Sequence, residues 1–108
     1  MENRTDMKAL FMVVNAGFAE EVMEIARETG IKGATIMNAR GEGASHESFM
    51  GIVVDTEKEM ILCIADDETA KLAMAAVKEK AGIQTPAHGI CFTMPVDQVL
   101  GIDMSPGI

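Results

Sequence analysis

MILCIADDETAKLAMAAVKEKAG, Met60 to Gly82, places a strand, a helix cap and a helix in direct succession. Met60–Ala65 (MILCIA) is a short apolar run with charge on both sides, and it reads as a buried central strand. The acids that follow, Asp66 and Asp67, offer oxygens to the unpaired N–H groups of a helix's first turn. Beyond them the period of the pattern changes. Leu72, Ala73, Ala76 and Val77 recur at helical spacing and form the expected buried stripe, with fraying near Gly82.

Upstream, Lys8–Asn15 (KALFMVVN) is a second apolar run that reads as a strand and breaks at Gly17. Phe18, Val22, Ile25 and Ala26 then keep helical spacing, with Glu20 and Glu21 near the positive end of the helix dipole. Gly30 is a natural stop, so the first helix is expected over Ala19–Thr29. Ala34–Ala39 is the next strand. Ile52–Val54 reads as the end of a loop stem, and Asp55–Glu59 as a charged turn before the Met60 strand. Downstream, Gly89–Met94 (GICFTM) is a strand ended by Pro95, and VDQVLGI, 96–102, makes one more small element. The order is βαβ twice over. Helical crossovers of this kind put both helices on one face of an antiparallel sheet, an α+β ferredoxin-like βαββαβ sandwich. One domain over 7–102 is expected, with a leader over 1–6 and a tail over 103–108.

Two helices cover one face of the sheet. A sheet with its other face in water should alternate apolar and polar residues. Ala9–Val14, Met60–Ala65 and Gly89–Phe92 instead are apolar on both faces. An exposed apolar sheet is a liability in a monomer, so an obligate oligomer is expected.

The chain has 108 residues, enough for one stable core. Ten Met against four Phe, with no Trp or Tyr, suit an adaptable core or interface. Nine basic and seventeen acidic side chains give a net charge of −8, which argues against a nucleic-acid partner. Cys63 and Cys91 form neither a metal motif nor a disulfide framework, and read as packing cysteines in a reducing compartment. No apolar run approaches the roughly 18 residues of a membrane span. MENRTD is unlike a signal peptide, and a cytoplasmic protein is expected.

One stretch is polar and glycine-punctuated: NARGEGASHESFMG, Asn38 to Gly51. Its Gly-Glu-Gly follows a strand but opens no helix, so neither the P-loop nor the dinucleotide fingerprint applies. Arg40 can bind a phosphate or pair with an acid. A metal site at His46 or His88 would need Glu42, Glu47 or Asp66 beside it. No nucleophile, base and orienting group assemble, so no enzyme is expected.

In order, GIKGATIMNARGEG, VVD, ILCIADDETAKLAMAAVKEKAG and HGICFTMPVDQVLGI resemble the PII signal-transduction family over about Met7 to Ile102. The resemblance implies a homotrimer of ferredoxin-like subunits whose sheets pack around a threefold axis. It also implies adenine nucleotides in intersubunit clefts, and a T-loop after the second strand that docks on a membrane transporter or an enzyme. Carried over by position, Thr35 falls at an adenine-side contact, and Gly41 and Gly43 match glycines whose backbone approaches the nucleotide. The candidate ligand-binding set is Thr35, Arg40, Gly41, Gly43, Ser45, Ala87, His88 and Gly89. His46, Glu47, Phe49 and Met50 are the candidate docking residues of a shortened T-loop.

The departures shift the expected ligand. Ala44-Ser45 stands where the family usually has Arg-Gln, whose Gln helps hold magnesium and 2-oxoglutarate. The second phosphate loop reads TPAHGI, without lysine, and Gly101 and Asp103 replace two arginines. Charge-assisted contacts are the strong ones for phosphate, so AMP or ADP is expected ahead of ATP. A chain without Tyr has no tyrosine to modify. Two other readings stay open: a CutA-like trimer binding divalent metal, and a ligand-free oligomerisation module.

Overall fold

The computed structural model describes residues 6–41, 48–49, 52–53 and 56–101. Four strands form the main sheet: β1 (Met7–Asn15), β2 (Thr35–Gly41), β5 (Thr56–Asp66) and β6 (Ile90–Pro95), in the order β2-β5-β1-β6. All neighbouring pairs are antiparallel. Helices α1 (Ala19–Glu28) and α2 (Asp67–Ala81) are the two crossovers, and a two-stranded hairpin, β3 (Ser48–Phe49) and β4 (Ile52–Val53), lies between β2 and β5. This is the expected βαββαβ sandwich with a small hairpin added.

The helix face of the sheet carries Leu10, Met12 and Val14 of β1 with Ile61, Cys63 and Ala65 of β5, all buried. Against them pack Val22, Met23, Ile25 and Ala26 of α1 and Ala73, Val77 and Ala81 of α2. The stripe expected on α2 is rotated. Ala70, Ala73, Val77 and Ala81 are buried, whereas Leu72 is 54% exposed and Ala76 only half-buried. The buried positions keep a strict three-and-four spacing that a side chain at 72 cannot join. Alanines there let α2 lie close to the sheet, and leave the larger Leu72 outside.

Both helix ends expected from sequence are built as such. Asp66 caps α2, its Oδ1 accepting from the Thr69 N–H at 2.8 Å and its Oδ2 from the Thr69 hydroxyl at 3.0 Å. Gly30, at φ +113, ends α1 in a Schellman arrangement. Its N–H donates to the Arg27 carbonyl and that of Ile31 to the Ala26 carbonyl.

Residues 56–59, expected as part of a charged turn, are strand instead. Thr56–Glu59 pair with Asn38–Gly41 of β2, and Lys58 and Glu59 also lie opposite Asn15 and Val14 of β1. Charge marks this end of β5 because its side chains are used. Glu59 Oε1 accepts from the N–H groups of Gly17 at 2.7 Å and Ala19 at 3.2 Å, covering the start of α1. β6 ends at Pro95 as expected, with Pro95 itself its last residue, opposite Lys8. After it, an isolated bridge at Val99 is the only regular pairing among the described residues. The expected leader and tail fall outside the described residues, apart from Asp6. Its carbonyl accepts from the Asp67 N–H at 2.7 Å and so ties residue 6 to α2.

Among the described residues, nothing covers the second face of the sheet. Ala9, Phe11 and Val13 of β1 share it with Met60, Leu62 and Ile64 of β5 and with Ile90, Phe92 and Met94 of β6. Phe11 and Phe92 stack across the strands with centroids 4.9 Å apart and planes 9° from parallel. Phe92 is 43% exposed and Met94 52%. Not one charged side chain interrupts these nine positions.

A Cβ on Gly89 would collide with the carbonyl oxygen of Ala81, the same oxygen that accepts the Gly89 N–H. The backbone on both sides must then move. Gly89→Ala is expected to cost on the order of 1–3 kcal/mol, an overpacking cost, read as a lower urea midpoint with unchanged slope.

Candidate functional site

The ends of β1, β2 and β5 that meet the 82–89 turn form one corner of the molecule. Asn15, the last residue of β1, holds it together. Its N–H donates to the Ala87 carbonyl at 2.8 Å, and its side-chain Nδ2 donates to the Pro86 carbonyl at 2.9 Å. Its Oδ1 accepts from Lys58 Nζ at 2.7 Å. Lys58 in turn lies across Gly41: a Cβ there would sit 2.9 Å from Lys58 Cε. Arg40 is opposite Glu57 in the β2–β5 register. A side chain at 41 would thus displace the Lys58 stem.

The 82–89 turn is tightly self-bonded. Thr85 donates to the Gly82 carbonyl from its N–H and its hydroxyl, and His88 N–H donates to the Thr85 carbonyl. His88 is the one non-glycine residue at positive φ among those described, +52. Its Nδ1 donates to the Ile83 carbonyl at 3.1 Å, which leaves Nε2 as the ring's outward nitrogen. Ala87 is buried and its neighbour His88 exposed.

Of the candidate ligand residues, Arg40, Gly41, Ala87, His88 and Gly89 gather at this corner. Thr35 does not. It begins β2, opposite Leu62, while Gly41 ends it. β2 has 7 residues, and about 3.3 Å per residue puts its two ends about 20 Å apart. Gly43, Ser45, His46, Glu47 and Met50 lie outside the described residues, and Phe49 is placed only as part of β3. Two residues of the corner, Asn15 and Lys58, were not singled out in the sequence. The signal for Lys58 was present, a lone basic residue between acids in DTEKEM, but it reads as turn charge until the strand register is known. Among the described residues no group of three or more His, Cys, Asp or Glu side chains is placed to hold a metal. No described helix is long and apolar enough to cross a membrane.

The cysteines sit on the helix face, Cys63 opposite Leu10 and Cys91 opposite Met12 of the intervening β1. Two strand spacings of about 4.8 Å separate them, beyond disulfide reach. Burial, with Cys91 nearby as a smaller cause, pushes the Cys63 thiol up to about 11; burial also raises Cys91.

The fold is that of a known class. A family model described as nitrogen regulatory protein P-II matches residues 7–104, and the chain belongs to that family. The nitrogen regulatory protein P-II of Azospirillum brasilense is 30% identical over 102 residues, covering 89% of this chain and 91% of the relative. A nitrogen fixation nifHD region glnB-like protein of Methanococcus maripaludis is 29% identical over 98 residues, covering 85% and 90%. Among solved structures, CPII, a nitrogen regulatory PII-like protein from Thiomonas intermedia K12 bound to ADP, AMP and bicarbonate, superposes with TM-score 0.66. It has 18% identity, with 89% of this chain and 96% of that chain covered. The B. subtilis GlnK–ATP complex also has TM-score 0.66, with 15% identity and 84% and 82% coverage. At these identities the structural likeness speaks for the ferredoxin-like fold, and the family rests on the sequence matches.

The raised thiols predict an alkaline weakness. An unfolded thiol ionises near 9.0, whereas folded Cys63 holds its proton to about 11. The stability due to the protonated thiol is complete below the unfolded value and is lost as pH rises through the folded one. Urea midpoints should therefore fall between pH 9 and 11, and fall less steeply in Cys63→Ala. Equal slopes in the two proteins would refute this.

Proposed function

We propose that this chain is a PII-like regulator whose subunits form a homotrimer and bind an adenine nucleotide, AMP or ADP ahead of ATP, between neighbouring copies. The observation that carries this reading is the placement of the candidate ligand residues at opposite ends of β2. Arg40, Gly41 and the Ala87–Gly89 turn form one wall. Thr35 of the same chain, about 20 Å along the strand, is too distant to join them around AMP or ADP, whereas Thr35 of an adjacent copy is free to do so. The uncovered apolar face gives a reason for the copies to associate, since burying it removes Phe92, Met94 and Ile90 from water. Nucleotides in the CPII and GlnK structures support the ligand class.

At the corner, Lys58 and Arg40 supply positive charge and His88 an outward ring nitrogen. The turn has no lysine of its own, which favours a ligand with fewer phosphates. The Gly41–Gly51 segment follows directly from β2, and is the part we assign to partner contact, on a membrane transporter or an enzyme. No catalytic step is assigned to the protein.

Calorimetric titration with AMP, ADP and ATP tests the ligand. AMP or ADP is expected to bind at least as tightly as ATP, and absence of heat with all three would remove the nucleotide reading. Thr35→Val, which deletes a hydroxyl while keeping shape, should weaken binding by about 0.5–1.5 kcal/mol. Phe92→Glu tests the assembly. Light scattering should show the wild type at three-chain mass and the variant at single-chain mass, with helix content retained. A trimeric Phe92→Glu protein would place the interface elsewhere.

A further inference from the structure

We propose that Asn15 is a positioning residue that joins the 82–89 turn to the Lys58 ammonium, supplying that turn with the cation its own sequence lacks. This rests on the reading that an anionic ligand is taken up at this corner.

Thr85-Pro86-Ala87-His88-Gly89 contains no lysine or arginine. The N–H groups of Thr85, His88 and Gly89 are all engaged with carbonyls of the same turn or of α2. A phosphate group at the turn therefore draws little from those backbone donors, and a side-chain cation is needed. Lys78 of α2 borders Gly82, Ile83 and Gly89 on the helix side, and Lys58 is the cation that the fold brings to the Pro86 side, through Asn15. It arrives on a different strand, and one primary amide connects it to the turn. Asn15 Oδ1 accepts from Lys58 at 2.7 Å while Nδ2 of the same amide donates to Pro86 at 2.9 Å. The backbone N–H of Asn15 adds a third bond, to Ala87.

The amide has a chemical reason to be an amide. It must accept from an ammonium on one side and donate to a carbonyl on the other. Aspartate can do only the first, and would neutralise Lys58 as well. Alanine does neither. Because Lys58 also passes over Gly41, its stem is confined on one side by β2 and its head on the other by Asn15. Its position is thereby set before any anion arrives.

The test has one arm without ligand and one with ADP, both on the full chain. In the first, amide hydrogen exchange is followed at Asn15 and Gly89, with Ile25 of α1 as the internal reference. Lys58→Met and Asn15→Asp should each speed exchange at Asn15 and Gly89 by roughly fivefold or more, local opening being sensitive to lost bonds, with Ile25 unchanged. Unchanged exchange at Asn15 and Gly89 in both variants would overturn the connection. In the second arm, Asn15→Ala and Lys58→Met should each weaken ADP by about tenfold, and the double variant no more than Lys58→Met alone, as for groups acting as one unit. Additive losses would make Asn15 an independent structural residue and overturn the positioning role. If ADP fails to bind the wild type, the nucleotide reading falls, and the exchange arm decides the Asn15–Lys58 connection by itself.

Discussion

The pairing of β1 on both of its edges is the constraint on which the rest of the structure depends. Nine β1 residues register against β5, and six of them also against β6. A central strand has no side facing water in the plane of the sheet, so its only freedom is in which residues point to which face. The even positions from Leu10 to Val14 take the helices. The odd ones, Ala9, Phe11 and Val13, are left on a face that nothing among the described residues covers. Everything distinctive follows from that division. The core is closed by small residues of α2, the open face is apolar, and the end of β1 carries Asn15 to the 82–89 turn.

How much of this was legible in the sequence depended on the range of the interaction. Helix ends were read well, because a cap is local. Asp66 and Gly30 announce themselves within four residues of the bonds they make. The topology was legible too, since apolar runs separated by helical patterns admit few arrangements. The rotation of the α2 stripe was not. Leu72 is the largest aliphatic side chain on that helix, and hydrophobicity alone assigns it inward. What excludes it is the close approach of a helix that presents Ala70, Ala73 and Ala81 to the sheet, a property of the pair of surfaces.

The candidate site shows the same division more sharply. Arg40, Gly41 and the 87–89 turn could be named from resemblance, but their grouping depends on the register of β2 with β5. Asn15 and Lys58 were missed because neither is unusual in its own neighbourhood. Asparagine after an apolar strand reads as a turn residue, and a lysine among acids reads as solvated charge. They become a pair only when residues 43 apart are brought opposite one another. Side chains that act by connecting elements leave little trace in any local pattern.

If the proposed intersubunit site holds, the separation of Thr35 from Gly41 along one strand has a consequence for how such a protein would read its surroundings. When the two walls of a pocket come from different copies, the pocket exists only to the extent that the copies are together. Ligand occupancy then obeys two concentrations, that of the ligand and that of the chain. The same linkage runs in reverse, since any molecule filling the gap adheres to both walls and holds the assembly closed. In a cell, the response curve would thus move with the amount of protein made, without any change in a single contact.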